Sequence, residues 1–404
     1  MLFEPERHEP LVAATWDEAA ARAWIAHYAD DAQSAFSPEQ LWPAHPLDLE
    51  DEDPNVPFPM IYMGAAGVIW ALDGLARDGA VAPLADLLPV VEKLEGLDIN
   101  MVEPWGHGVE GLFMGRSGIL LLHYRMAADR ATANAIADAI AASVANNASH
   151  PSLEMLWGSP STMHAALTMH EWTGEARWAE LFRADADALS HSFLPAPDAP
   201  CRIWTQDLYG RKVKYIGAGH GFAGNASALI RGRALMPAED WTRWADGIVE
   251  TTQVTALRDG SLANWPPELK IHETSPKKLV QWCHGAPGMV MSLARLPDPR
   301  LDELLIAAGE LTWAAGPLAK GAGLCHGTAG NGYAFLKLFR RTGDPRWLDR
   351  ARAFATHAMA QSDRMTERYR RRRHSLWTGD PGVACYVWSC IAGDDALPNL
   401  DPTH

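Results

Sequence analysis

The chain has 404 residues, of which 48% are hydrophobic and 21% charged, a balance typical of a globular protein with a large core. Its formal charge of −15 argues against nucleic acid and anionic membrane surfaces as general partners. No apolar run approaches the roughly 20 residues that span a bilayer, so we expect no membrane insertion. The cysteines are odd in number and dispersed, and Met1–Glu9 lacks an apolar signal core, so we expect a reduced, cytoplasmic protein.

Two features occupy the first part of the chain. These are a predicted helix over Trp16–Tyr28 and an acidic, proline-rich segment over Leu47–Pro59. A Gly-x-x-Gly turn then recurs, and each copy precedes an apolar, helix-like stretch. A weaker copy begins at Gly158, where Ser161 replaces the second glycine. The complete copies begin at Gly64, Gly115, Gly221, Gly285, Gly327 and Gly379.

The spacing of these turns predicts the fold class. Successive turns are about 40 to 65 residues apart, which is room for two helices and their connections. Alanine-rich segments such as Ala131–Ala145 and Leu301–Ala315 favour helix between the turns. We therefore predict an all-α protein, an α/α toroid with a double ring of seven helical hairpins and about 14 helices. An open solenoid of the same hairpins is the alternative.

We predict a single domain over residues 1–404, with a helical lead-in over 1–55 and the seven hairpins over 56–404. Closure of the hairpins into a ring would gather their turns at one mouth. Turns that are distant in sequence would then lie side by side.

Two of the turns carry a cysteine and a histidine directly before their first glycine. The segments are Trp282-Cys283-His284-Gly285 and Leu324-Cys325-His326-Gly327. Cys283, Cys325 and His326 are the donor types that zinc prefers, and three protein ligands leave a fourth position open, as in catalytic sites. We predict one Zn²⁺ ion there. The alternatives are buried free cysteines, our interpretation of Cys201, Cys385 and Cys390, or a closed site with His284 as fourth ligand.

The segments Trp-Cys-His-Gly-Ala-Pro-Gly and Cys-His-Gly-Thr-Ala-Gly-Asn resemble the lanthionine synthetase C-like (LanC-like) family, and the glycine turns extend the resemblance over essentially the whole chain. The resemblance implies an α/α toroid with zinc on Cys283, Cys325 and His326. It also implies addition of a thiol to dehydroalanine or dehydrobutyrine. Bacterial cyclases of the family use peptide cysteines. Animal and plant LanC-like proteins bind glutathione and add it to dehydroamino acids formed from phosphorylated Ser or Thr.

Details of the sequence resemble the glutathione-binding branch more closely. His284, rather than tyrosine, follows Cys283, and Lys320 lies where that branch has a lysine associated with glutathione and phosphate. The resemblance gives His220 an acid–base role and places Glu154 in the same cavity. The alternatives are a histidine that braces its turn, an ion-paired glutamate and a solvent-exposed lysine.

A basic run, Arg368-Tyr369-Arg370-Arg371-Arg372-Arg373-His374, precedes the seventh turn. Toroid closure would bring it near the mouth, so we predict that Arg373 binds substrate through phosphate or carboxylate groups, a solvated run being the alternative. Two turns depart from the family pattern. The third lacks the usual Gly-Arg-x-Gly, and the seventh has Thr378 where relatives often have glutamate.

The function predicted from the sequence is zinc-dependent addition of a thiol, glutathione or a peptide cysteine, to a dehydroamino acid. The partners would be a small thiol and a dehydroamino-acid or phosphorylated peptide. The alternatives are a lanthionine cyclase acting on a ribosomal precursor peptide, a non-catalytic zinc- and glutathione-binding scaffold, and a carbohydrate-active toroid. The last would need paired acidic residues, for which only Glu154 and Asp380 are candidates in the turns.

Overall fold

The computed structural model describes residues 1–49, 57–83, 86–97, 109–197, 199–270 and 277–401. These residues are mainly helical, and none of their helices is long and apolar enough to cross a bilayer. The helices are α1 (Glu18–Ala35), α2 (Ala65–Arg77), α3 (Leu88–Glu95), α4 (Arg116–Met126), α5 (Arg130–Asn147), α6 (Ser159–Thr173), α7 (Ala176–Ser192), α8 (Phe222–Arg231), α9 (Ala238–Thr255), α10 (Ala286–Leu293), α11 (Asp302–Ala315), α12 (Thr328–Thr342), α13 (Pro345–Tyr369) and α14 (Asp380–Ala392).

The even-numbered helices form a closed inner ring. Each begins directly after the first glycine of one of the seven predicted turns, Gly158 included. Neighbours in the ring pack in chain order from α2 to α14, and α14 returns to pack against α2. Odd-numbered helices lie outside this ring; α13 packs on α12 and α14, and α1 packs on α14. The chain is an α/α toroid, as predicted, and not an open solenoid.

The predicted helices are present, although α1 extends seven residues beyond its predicted end. Trp16–Tyr28 corresponds to α1, Ala131–Ala145 lies within α5, and Leu301–Ala315 corresponds to α11. Residues 50–56 of the acidic segment lie outside the described residues. Three short antiparallel hairpins were not predicted, because their strands have only two or three residues. The strands are β1 (Leu194–Pro195), β2 (Arg202–Ile203), β3 (Gln206–Leu208), β4 (Arg211–Val213), β5 (Leu257–Asp259) and β6 (Leu262–Asn264).

A ring of backbone hydrogen bonds joins the seven turns at one end of the toroid. In every turn, the carbonyl two residues before the first glycine accepts an N–H from the preceding turn around the ring. Trp377 in the last turn donates to Tyr62 in the first at 2.9 Å, which closes the circle. The acceptors are Tyr62, Phe113, Leu156, Gly219, Cys283, Cys325 and Trp377.

The second glycine of each complete turn allows its helix to pack on its own turn. A Cβ atom at Gly330 would lie 1.8 Å from the Leu324 carbonyl oxygen, which no side chain tolerates. Ser161 occupies this position in the third turn and uses its hydroxyl instead. That hydroxyl donates to Gly158 O at 2.8 Å and accepts the Leu112 N–H at 3.1 Å, which ties the third turn to the second.

Candidate metal centre

The structure brings together the three predicted metal ligands. The sulfur atoms of Cys283 and Cys325 and a ring nitrogen of His326 all lie within 4.8 Å of one another. Tetrahedral ligands at about 2.0–2.3 Å from one zinc ion lie about 3.3–3.8 Å apart, so these donor atoms are close enough to hold the ion after small side-chain movements. Within the described parts of the chain, His284 is not a member of the cluster. A zinc ion held by this set would have three protein ligands and one position left for a water or a thiol.

Backbone geometry explains why these residues meet. The Cys283 N–H donates to the Cys325 carbonyl at 3.2 Å, so the fifth and sixth turns run side by side. The fourth turn makes room for them, because a Cβ on Gly219 would lie 2.8 Å from Cys283 Cβ. Both cysteines directly precede a helix, α10 or α12, and the positive end of a helix dipole favours a thiolate.

The two thiols share an environment that suits a cation. A hydrogen bond from Cys325, together with one from His326, holds the pKa of the Cys283 thiol well below its usual range. Burial and the neighbouring Cys283 sulfur raise the pKa of the Cys325 thiol well above its usual range. Two adjacent thiolates would repel each other in this buried site. A divalent cation would neutralise both of them.

Two further residues contact the sulfur atoms and were missed from the sequence. Gln281 donates its side-chain N–H to Cys283 Sγ at 2.9 Å, and the Tyr62 hydroxyl is hydrogen-bonded to Cys325. Such contacts orient ligands and tune their basicity. An alignment of the seven turns would have indicated Tyr62, because it occupies in the first turn the position that Cys283 occupies in the fifth.

His220 and Glu154 form a hydrogen-bonded pair beside the cluster. His220 Nδ1 lies 3.0 Å from Glu154 Oε2, and the carboxylate is fully buried. Glu154 also accepts the backbone N–H groups of Leu156 at 3.0 Å and Trp157 at 2.7 Å. With Nδ1 engaged, Nε2 is the ring nitrogen available to a substrate. Glu154 therefore fixes the turn and the orientation of His220.

Aromatic rings surround His220. Its ring centroid lies 5.8 Å from Tyr209, 6.3 Å from Trp157, 6.0 Å from Tyr215 and 5.9 Å from His284. The His284 Nδ1 atom is buried without a hydrogen-bond partner, and burial lowers the pKa of this imidazole. The histidine of the fifth turn is thus part of an apolar wall rather than an ion-pairing group.

The two predicted anion-binding residues differ in their surroundings. Lys320 is exposed, and its positive charge acts on the Cys325 thiol. Arg373 is ion-paired with Asp48 of the N-terminal segment through Nε and Oδ2 at 3.0 Å, and Asp48 also accepts the Thr378 hydroxyl at 2.7 Å. Arg373 would have to exchange Asp48 for a substrate anion in order to bind one.

The basic run divides between the interior and the surface. Arg372 is buried and lies 3.3 Å from Asp363, whereas Arg368, Arg370 and Arg371 are exposed. Asp380 is also buried and accepts the Ser362 hydroxyl at 2.5 Å and the Arg373 N–H at 3.1 Å. Asp380 therefore has a structural role in the last turn.

Comparison with known proteins agrees with this geometry. The sequence profile of the lanthionine synthetase C-like protein family matches residues 58–401. The chain belongs to this family. The LanC-like protein GCL1 of Arabidopsis thaliana is 30% identical over 256 residues, which are 61% of this chain and 56% of that protein. Glutathione S-transferase LANCL1 of Danio rerio is 45% identical over 85 residues, 20% of this chain and 21% of the relative. The matches thus span about half of the first LanC-like relative and a fifth of the second.

A solved structure confirms the fold. Nisin cyclase superposes with a TM-score of 0.61 over 92% of this chain and 93% of its own, at 15% sequence identity. At that identity the likeness concerns the architecture alone. The LanC-like chain therefore has the α/α toroid expected from its seven turns.

Proposed function

We propose that the protein is a zinc-dependent enzyme that adds a thiol to a dehydroamino acid and so forms a thioether. The observation that carries this proposal is the three-ligand cluster of Cys283, Cys325 and His326, with a carboxylate-oriented histidine beside it. The name of a similar protein, a glutathione S-transferase, supports the reaction class. Free cysteines throughout the described residues support a reducing, cytoplasmic location.

The proposed chemistry follows from the donor set and from His220. A zinc ion held by the three ligands would lower the pKa of an incoming thiol at the open position. The thiolate attacks the β-carbon of the dehydroamino acid, so that a C–S bond forms while the C=C π bond breaks. The electron pair moves to the α-carbon and its amide as an enolate. His220, held at Nδ1 by Glu154, accepts at Nε2 the proton that the thiol releases and then donates it to the α-carbon.

Glutathione is the thiol that we favour. Lys320 offers an exposed positive charge close to Cys325, which suits a glutathione carboxylate. The match to a protein named for glutathione transfer supports this choice. Arg373 would contribute only after release of Asp48, so we assign it a secondary role in holding a phosphate or carboxylate.

Mass spectrometry of a dehydroalanine peptide incubated with glutathione and the protein tests the proposal. We expect an adduct whose rate of formation far exceeds the uncatalysed rate, and we expect Cys283→Ala to abolish this acceleration. Cys201→Ala is the matched control, because Cys201 is also buried but lies outside the cluster. Ring formation in a precursor peptide without glutathione addition would indicate a cyclase. Glutathione binding without any adduct would indicate a scaffold, and glycoside cleavage that survives Cys283→Ala would indicate a carbohydrate enzyme.

A further inference from the structure

The β3–β4 hairpin spans the two turns that carry Glu154 and His220. Its base is fixed to the third turn, because the Asp207 N–H donates to the Pro151 carbonyl at 3.0 Å. It is also fixed to the start of the fourth turn, where the Tyr215 N–H donates to the Gln206 side chain at 2.8 Å. The tip of the hairpin is therefore held in a defined place over the His220 site.

Tyr209, at the tip of the hairpin, is an unusual residue for the backbone conformation that it adopts. Leu208 pairs with Arg211, so the loop consists of Tyr209 and Gly210 alone, and both have positive φ, at 54° and 73°. This is the two-residue type I′ turn, whose first position favours asparagine, aspartate or glycine. A bulky aromatic side chain is a conformational outlier there. Asparagine at this position would make the turn conformation more favourable.

The side chain of Tyr209 is also not a core residue. It is 57% exposed, yet its ring lies edge-on to two rings of the site, 5.8 Å from Trp157 at 87° and 5.8 Å from His220 at 75°. Trp157 and His220 are themselves nearly parallel, at 18°. Partial burial and the nearby Glu154 carboxylate raise the pKa of the Tyr209 phenol well above its usual range, so the phenol stays neutral. The three rings therefore contact one another, and the exposed part of the Tyr209 ring gives this aromatic cluster a solvent-facing surface next to His220.

We propose that Tyr209 is a substrate-contacting, specificity-determining residue whose exposed ring packs against the planar α,β-unsaturated amide of the electrophile next to His220. A dehydroamino-acid residue is flat because its double bond is conjugated with the amide, so it presents a face that an aromatic edge can pack on. A saturated residue is tetrahedral at the α-carbon and presents no such flat face to the ring. This inference rests on the proposed function for the identity of the electrophile, and it concerns the peptide rather than the thiol.

Tyr209→Asn is the decisive variant, because it supplies the residue that the turn favours while it removes the ring. Tyr209→Phe is the matched control, because it keeps the ring in the same turn. Calorimetric titration of a dehydroalanine peptide into the zinc-loaded protein, without thiol, measures binding in the absence of turnover. We expect Tyr209→Asn to bind about tenfold more weakly or worse, and Tyr209→Phe to bind within about twofold of the wild type. The thermal midpoint of Tyr209→Asn should equal or exceed that of the wild type, and its zinc content should be unchanged.

Several results separate this inference from the proposed function. In the glutathione-addition assay, Tyr209→Asn should raise KM for the peptide and leave KM for glutathione unchanged. Equal peptide binding by wild type and Tyr209→Asn overturns the inference even if the thioether forms. Failure of the wild type to bind the peptide also overturns it. If the wild type binds the peptide more tightly than Tyr209→Asn but forms no adduct, the role of Tyr209 in peptide binding would be supported and the proposed reaction would be refuted.

Discussion

The N–H of Cys283 donates a hydrogen bond to the carbonyl of Cys325 at 3.2 Å, although the two residues are 42 positions apart. This bond belongs to the ring that joins all seven turns, so the two cysteines are held together by the same contacts that close the toroid. The candidate metal centre therefore uses a backbone arrangement that every turn repeats. We expect its geometry to be as stable as the ring itself.

Zinc binding is expected to depend on both cysteines. We expect wild-type protein to carry about one zinc ion per chain and Cys325→Ala to lose most of it, because two remaining ligands hold zinc weakly. Cys390→Ala is a suitable control, because Cys390 is a buried thiol outside the cluster whose pKa burial raises to about 12. Elemental analysis by mass spectrometry measures both. Full zinc content in Cys325→Ala would rule out the cluster as the site.

Removal of the acid–base residue should affect turnover. We expect His220→Asn to lower kcat of thiol addition by about 10²–10⁴, the usual contribution of a positioned acid or base. Glu154→Gln should lower kcat less, because it disturbs only the orientation of His220, and it should also destabilise the turn by about 1–3 kcal/mol. Steady-state kinetics and thermal unfolding separate the two effects. Normal kcat in His220→Asn would assign His220 a purely structural role.

Two glycines should respond in opposite directions to alanine. Gly330→Ala places a Cβ 1.8 Å from the Leu324 carbonyl oxygen, so we expect a loss of about 3 kcal/mol or more in the free energy of unfolding. Gly74 lies within α2 with no atom within 4 Å of a new Cβ, so Gly74→Ala should gain about 0.5–1 kcal/mol. Chemical denaturation measures both changes. Equal stabilities would contradict the close packing of α12 on the sixth turn.

The stability of the protein should depend on the ionisation of Asp185. This residue is 2% exposed, and burial raises the pKa of its carboxyl to about 7. Between about pH 4 and pH 7 the folded state therefore binds a proton that the unfolded state releases, so this group lowers stability as the pH rises through that window. Asp185→Asn should unfold at a higher temperature than the wild type at pH 8 and at a similar temperature at pH 4. Thermal scans at both pH values check this, and a gain confined to pH 4 would contradict it.

The repeat of the glycine turns was enough to predict the ring of helices. Gly64 and its six counterparts start the inner helices because each turn needs a close backbone approach that only a small residue permits. The pairing of Cys283 with Cys325 followed from closure of that ring, and His326 from its place beside Cys325. These features occur at fixed positions within each repeat, so they can be predicted from the sequence alone.

The contacts made by long or irregular segments could not be predicted from the sequence in the same way. The ion pair of Arg373 with Asp48 joins the last turn to the N-terminal segment, and no repeat relates the two. Tyr209 reaches His220 through a hairpin of two three-residue strands, too short for a clear alternation of polar and apolar residues. The identity of the ligand residues was thus determined by local sequence. The orientation of His220 by Glu154 and the aromatic cluster around His220 were decided only in three dimensions, because they depend on side chains from turns that the closed ring brings together.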